Sequence, residues 1–175
     1  TPVGRHKNDT VNALGDEPVE VFPGVQGGVQ APMGYKDSVV YTTALNASTA
    51  FSATVFDYSS FDLTTATGNV TALDAWNGQI LWDIELPTGI AGPGITIAND
   101  ILFTGGLDGI ARAYSLADGS LVWSWQAPAG LNAPFAIAGD TLLIPAGSFF
   151  LPSSDTEGEL APATPSVVAL RLPSA

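Results

Sequence analysis

The segment Asp155-Thr156-Glu157-Gly158-Glu159 gathers three carboxylates around a glycine, oxygen donors of the kind calcium selects. Asp155, Glu157 and Glu159 are therefore the candidate metal ligands. The run has neither the spacing nor the ligand count of an EF-hand loop, and a solvated acidic tip is its plainer reading. The single histidine, His6, precedes Asp9 by three residues. An imidazole steadied by a carboxylate becomes a catalytic base only beside a nucleophile or a substrate proton. No Ser or Cys nucleophile motif accompanies it, so the pair reads as surface, and no residue is assigned a catalytic role.

Composition narrows the chemistry further. The absence of cysteine removes disulfides, thiolate metal sites, covalently attached c-type haem and thiol nucleophiles. The net charge is -12, with only Arg5, Lys7, Lys36, Arg112 and Arg171 on the basic side. Such a field repels phosphate backbones and argues against nucleic-acid partners. No run of about 18 apolar residues offers a membrane-spanning helix.

The elements that would position any site are strands. No stretch keeps a helical apolar stripe for three turns, and 19 Gly with 13 Pro interrupt the chain throughout. Short β-branched and aromatic runs bounded by Gly, Asn-Asp, Asn-Gly or Asp-Gly predict ten strands, at 38–44, 69–75, 79–86, 94–98, 100–106, 110–116, 120–127, 134–138, 140–146 and 166–172. The fold class is all-β.

These strands repeat. Ala72-Leu73-Asp74-Ala75-Trp76-Asn77-Gly78-Gln79-Ile80-Leu81-Trp82 is echoed by Ala113 to Trp123, with Ala72/Ala113, Gly78/Gly119 and Trp82/Trp123 each 41 residues apart. Residues 92–106 are echoed by 133–147, and 31–44 form a third copy one residue shorter. Four strands in about forty residues make a β-propeller blade. Asn77-Gly78 and Asp118-Gly119 predict two-residue hairpin turns with φ > 0 at both positions. Trp82 and Trp123 are expected to staple neighbouring blades, with Ala72 and Ala113 small because a ring packs over them.

The stretch Ala72–Trp82 resembles the tryptophan-docking motif of the pyrroloquinoline quinone (PQQ) propeller repeat, usually Ala-x-Asp-x-x-Thr-Gly-x-x-x-Trp. Ala72, Asp74, Gly78 and Trp82 match it, as do Ala113, Gly119 and Trp123; Asn77, Asp118 and Ser115 depart from it. Residues 23–35, 100–115, 127–137 and 167–173 resemble the carboxy-terminal half of quinoprotein alcohol dehydrogenases. The resemblance implies a propeller of about seven or eight blades, of which three to four are present here. In the enzymes so resembled, PQQ sits with Ca²⁺ or a lanthanide among a metal-binding Glu and Asn, a catalytic Asp, an Arg or Lys, a stacking Trp and often a vicinal disulfide. That disulfide cannot form here, and the catalytic Asp and metal ligands would precede Thr1. Gly27-Gly28-Val29-Gln30-Ala31 stands where such enzymes commonly show Gly-Gly-x-Asn-Trp, leaving Gln30 as the one candidate cofactor contact. PQQ and calcium are implied only together with further blades.

The expected organisation is a divergent amino-terminal blade segment (1–30), a blade at 31–86 with an inserted loop at 45–69, a blade at 91–127, and a last blade at 132–173 with an inserted loop at 147–166. Both insertions leave the same corner of their units and carry aromatics, Phe51, Phe56, Tyr58 and Phe61 in one and Phe149 and Phe150 in the other. The last unit stops at its third strand, so the remaining blades or a second chain are the expected partners. The chain begins Thr-Pro, which reads as a processed or excised piece. Asn8, Asn46 and Asn69 head Asn-x-Ser/Thr triplets, read as incidental. The functional expectation is an extracytoplasmic binding or scaffold module without a complete catalytic site. The alternative is the carboxy-terminal portion of a PQQ-dependent alcohol dehydrogenase.

Overall fold

The computed structural model describes residues 1–10, 14–54, 56–57, 65–86, 92–148 and 164–172. Asp155, Glu157, Glu159, Tyr58, Phe61, Phe149 and Phe150 lie outside them. In chain order the strands are β1 (Val19–Val21), β2 (Gly34–Lys36), β3 (Val39–Asn46), β4 (Thr49–Phe51), β5 (Phe56–Asp57), β6 (Thr67–Asp74) and β7 (Ile80–Leu86). They continue with β8 (Thr96–Ala98), β9 (Ile101–Thr104), β10 (Ile110–Ser115), β11 (Leu121–Gln126), β12 (Gly130–Leu131), β13 (Ala136–Ala138), β14 (Thr141–Ser148) and β15 (Ser166–Arg171).

Three of the sheets are antiparallel blades built on one plan. Sheet 1 runs β2-β3-β6-β7 and sheet 2 runs β8-β9-β10-β11. In sheet 3, β12 and β13 share one side of β14 while β15 pairs with the other. Among the described residues nothing pairs with the outer edge of β15. A small side sheet, β1-β4-β5, joins the amino-terminal stretch to the insertion between β3 and β6. That insertion therefore carries two strands of its own, and β1 is the one named strand in residues 1–30.

Strand alternation explains why the sheets stack. In β7, Trp82, Ile84 and Leu86 turn towards sheet 2 while Asp83 and Glu85 turn away. Tyr41, Val70 and Ala72 join them, meeting Ile95, Leu102 and Tyr114 of sheet 2 in one apolar cluster. Burying a side chain such as Leu102, which retains no exposure, contributes about 2 kcal/mol. A second cluster between sheets 2 and 3 gathers Ala111, Leu131, Phe135 and Ile144, with Trp123, Trp125 and Leu170 packed against it. Trp125 thus packs into the seam between sheets 2 and 3. A third, smaller cluster puts Leu107, from the β9–β10 corner, against Ala47 and Ala66 of the insertion.

The hairpins at Gly78 and Gly119 differ from the expected two-residue turns. Only the glycines have positive φ (72° at both), so Asn77 and Asp118 do not. Between β6 and β7 Asp74 N donates to Gln79 O (2.9 Å), which encloses a loop of four residues, 75–78, and Gly78 N donates to Asp74 O (2.8 Å). The Asp74 carboxylate accepts from the N–H groups of Trp76 and Asn77, so local side-chain bonding organises the loop. The positive-φ pair expected there occurs instead at Asp37-Ser38 (50° and 66°), between β2 and β3.

Candidate functional site

The sequence directs attention to the seams between sheets. At the first seam the Trp82 indole N–H donates to the Leu116 carbonyl (3.0 Å), and its ring lies 5.8 Å from Tyr41. A Cβ built on Gly119 would meet Trp82 Cε3 at 2.9 Å and Ile84 Cδ1 at 2.8 Å. Ala72 pairs with Trp82 and Ala113 with Trp123, and both alanines are buried between their neighbours.

The second seam is built from equivalent positions but is not filled. β15 follows the two-residue turn Gly139-Asp140 in the register by which β10 follows Asn99-Asp100: Arg171 faces Thr141 as Ser115 faces Ile101. Leu172 is therefore the counterpart of Leu116, and Ala169 of Ala113. No hydrogen bond from Trp123 Nε1 occurs among the described residues. A cavity of about 500 Å³ opens there, lined by Phe103, Ala113, Trp123, Ile137, Leu170 and Leu172, with Asp140 and Arg171 also contributing to its wall. Ala169 is exposed whereas Ala113 is buried; among the described residues no strand pairs with the outer edge of β15.

The face of sheet 1 that points away from sheet 2 is polar. Asn46 Nδ2 donates to Asn69 Oδ1 (2.7 Å) and Thr67 Oγ1 (3.0 Å), while Asn69 Nδ2 donates to Asp83 Oδ2 (2.7 Å). Thr71 Oγ1 donates to the same carboxylate (2.5 Å). Residues 1–5 lie across this face. Thr1 Oγ1 donates to Gly78 O (2.5 Å), Arg5 N to Asn46 Oδ1 (2.8 Å), and the Arg5 guanidinium to Glu85 (2.6 Å). Asn46 and Asn69 are thereby buried in a bonded network. Sequence reasoning read their triplets as incidental and missed the network. The signal was the polar residues at alternate positions of otherwise apolar strands, Asn69 and Thr71 against Val70 and Ala72.

At the corner from which the insertions leave, Asp108 and Arg112 form a largely buried, two-pronged ion pair (2.5 and 3.2 Å). Asp108 Oδ1 also accepts from Ile110 N (3.0 Å), so the pair shapes the β9–β10 turn. Gln30 is exposed and donates to Gly27 O (3.2 Å). Trp76 projects into solvent with 85% of its surface exposed. His6 Nδ1 lies 2.5 Å from Asp9 Oδ2 at the surface, and that contact holds the Asp9 carboxyl below its ordinary range.

Residues 66–161, more than half of the chain, match the PQQ-type repeat family described as outer membrane protein assembly factor BamB. The chain belongs to that family. Solved structures share the PQQ-type fold. Quinohemoprotein alcohol dehydrogenase ADHIIG from Pseudomonas putida HK5 aligns with a TM-score of 0.61 at 21% identity, over 75% of this chain and 24% of that one. The quinohemoprotein alcohol dehydrogenase of Comamonas testosteroni gives 0.61 at 19%, over 76% and 24%. A europium-containing methanol dehydrogenase gives 0.54 at 16%, over 74% and 27%. The chain thus spans about a quarter of the length of these PQQ-type structures, and at such identities the likeness concerns the fold. No curated protein matches it significantly.

The described residues do not fit PQQ and its metal. No group of three or more His, Asp or Glu among them converges on a metal-sized site. Trp82, Trp123 and Trp125 are committed to seams, and the Gln30 amide bonds its own loop.

Proposed function

We propose that this chain is a segment of an extracytoplasmic PQQ-type propeller that serves as a binding or scaffold module, and whose ring is completed by further blades or a second chain. One observation carries the reading: two seams with equivalent residues, one filled by an indole on a glycine turn and the other open beside β15. Ala72, Asp74, Gly78, Trp82, Ala113, Gly119 and Trp123 are its blade-docking residues, and their role is structural. The extracytoplasmic assignment draws on the family description as an outer membrane assembly factor. Cell fractionation tests it, and recovery with cytoplasmic markers would overturn it. Asp155, Glu157 and Glu159 remain candidates for a calcium site. Isothermal titration with Ca²⁺ showing no heat, or heat unchanged in a triple Asn/Gln variant, would remove them.

A second reading is favoured by the likeness to the two quinohemoprotein alcohol dehydrogenases: the chain is the carboxy-terminal portion of a PQQ-dependent alcohol dehydrogenase. Catalytic and cofactor-holding groups would then lie on other blades. Alcohol-dependent dye reduction by the full-length protein after adding PQQ and Ca²⁺ separates the two. Saturable activity favours the dehydrogenase, and none favours the scaffold.

A further inference from the structure

The loops joining β6 to β7 and β10 to β11 are closed by the same three hydrogen bonds but carry their carboxylate at different positions. In sheet 1, Asp74 N donates to Gln79 O (2.9 Å), Gly78 N to Asp74 O (2.8 Å) and Gln79 N to Asn77 Oδ1 (2.7 Å). In sheet 2, Ser115 N donates to Ser120 O (2.9 Å), Gly119 N to Ser115 O (3.0 Å) and Ser120 N to Asp118 Oδ1 (3.0 Å). The first loop pairs Asp74 with Asn77, and the second pairs Ser115 with Asp118, so each holds one carboxylate. Asn77 is exposed, and it is the one asparagine of the chain that precedes a glycine.

We propose that Asn77 is a site of self-modification, deamidating through its own backbone at a rate set by the hairpin. The Gly78 nitrogen gives its proton to solvent base and attacks Asn77 Cγ; a C–N bond forms, and the side-chain nitrogen leaves as ammonia. Water opens the resulting imide at either carbonyl, giving aspartate or isoaspartate, so one water is consumed and no group is oxidised or reduced. Gly78 permits the attack because no Cβ shields its nitrogen. The Gln79 N–H on Asn77 Oδ1 lies where negative charge gathers as the carbonyl is attacked. The bond from Gly78 N to Asp74 O opposes the attack, so reaction awaits local opening of the loop. The product holds two carboxylates in one loop. Asp74 Oδ1 accepts from Asn77 N (3.1 Å), so the new charge arises beside the old one and weakens the turn at low ionic strength. The second loop avoids that pairing by having Ser115 where the first has Asp74.

A protease that cuts before aspartate reads the site. It releases Asp74–Trp82 from the unmodified chain. Aspartate at position 77 adds a cut, whereas isoaspartate leaves the peptide whole but with the mass of the deamidated form. Native protein, urea-denatured chain and Asp74→Ala are incubated side by side in mildly alkaline buffer and digested at intervals. In the native protein Asn77 should convert ahead of every other asparagine, several-fold more slowly than in the denatured chain, with Asp74→Ala faster than wild type. Asn77 still intact when the denatured chain has converted, equal rates in the native and denatured chains, or another asparagine converting first would each overturn the proposal. Stability gives a second readout. Asn77→Asp should lower the urea midpoint at low salt, and D74S/N77D, which copies the second loop, should restore it; a midpoint unmoved by Asn77→Asp would overturn the stated consequence. Neither readout depends on dehydrogenase activity or cell fractionation, so this inference can fail while the functional reading stands.

Discussion

Two glycines separate backbone strain from seam packing. Gly119 and Gly139 both sit in turns with positive φ, 72° and 61°. A Cβ on Gly139 would meet nothing within 4 Å, whereas one on Gly119 would strike Ile84 Cδ1 at 2.8 Å and the Trp82 ring at 2.9 and 3.0 Å. Gly139→Ala therefore costs only the left-handed backbone penalty, about 1–2 kcal/mol. Gly119→Ala incurs a similar penalty plus about 1–3 kcal/mol for overpacking, a total of about 2–5 kcal/mol. If the indole swings aside instead, its bond to Leu116 is lost, which costs about 1 kcal/mol. Urea unfolding followed by tryptophan emission gives both free energies, and near-ultraviolet circular dichroism reports the Tyr41–Trp82 geometry. Equal destabilisation by the two variants, with an unchanged aromatic spectrum for Gly119→Ala, would refute the claim that Trp82 seals this seam.

Other expectations follow from the same contacts. Trp82→Phe should cost about 1 kcal/mol more than Trp123→Phe, because only Trp82 donates to a carbonyl among the described residues; paired urea curves decide it. Asp108→Ala strands a largely buried guanidinium and should cost about 3–5 kcal/mol, while Glu85→Ala at the half-exposed Arg5 pair should cost about 0–1 kcal/mol. Thr43 Oγ1 is buried without a partner, so Thr43→Val should raise stability by about 1 kcal/mol, read as a higher urea midpoint at constant slope. Burial pushes the Tyr41 and Tyr114 phenols above the ordinary 10.0. Their contribution is whole below that value and is lost as pH rises through the raised folded-state values; absorbance titration should show two late-ionising tyrosines.

The repeat was legible because its parts obey local rules. A period-2 apolar pattern located all ten predicted strands within a few residues, and Ala, Gly and Trp at fixed offsets gave the stacking. β1, β2, β4, β5 and β12 were not among them. They are two or three residues long, and their pairing depends on tertiary neighbours that no window of sequence contains. The turn type at Gly78 was misjudged because Asp74 lies four residues upstream of the glycine, and its carboxylate caps a longer loop than Asn-Gly alone suggests. The Asn46–Asn69–Asp83 network stayed hidden for a related reason: its members lie on three strands and meet only once β3, β6 and β7 are in register. The carboxylates of residues 155–159 could be read as chemistry only from their own sequence.

Sheet 3 has consequences for how the molecule comes apart. In stacked-repeat proteins each unit is stabilised by itself and by its immediate neighbours, so the least supported unit melts first. Among the described residues sheet 3 borders one sheet and has three strands across, while sheet 2 is flanked on both sides. Amide protons should therefore exchange faster in β13, β14 and β15 than in β9 and β10, as hydrogen exchange would show. Whatever covers β15 in the cell would then act as a clamp on lifetime, setting how long the protein persists under heat or digestion.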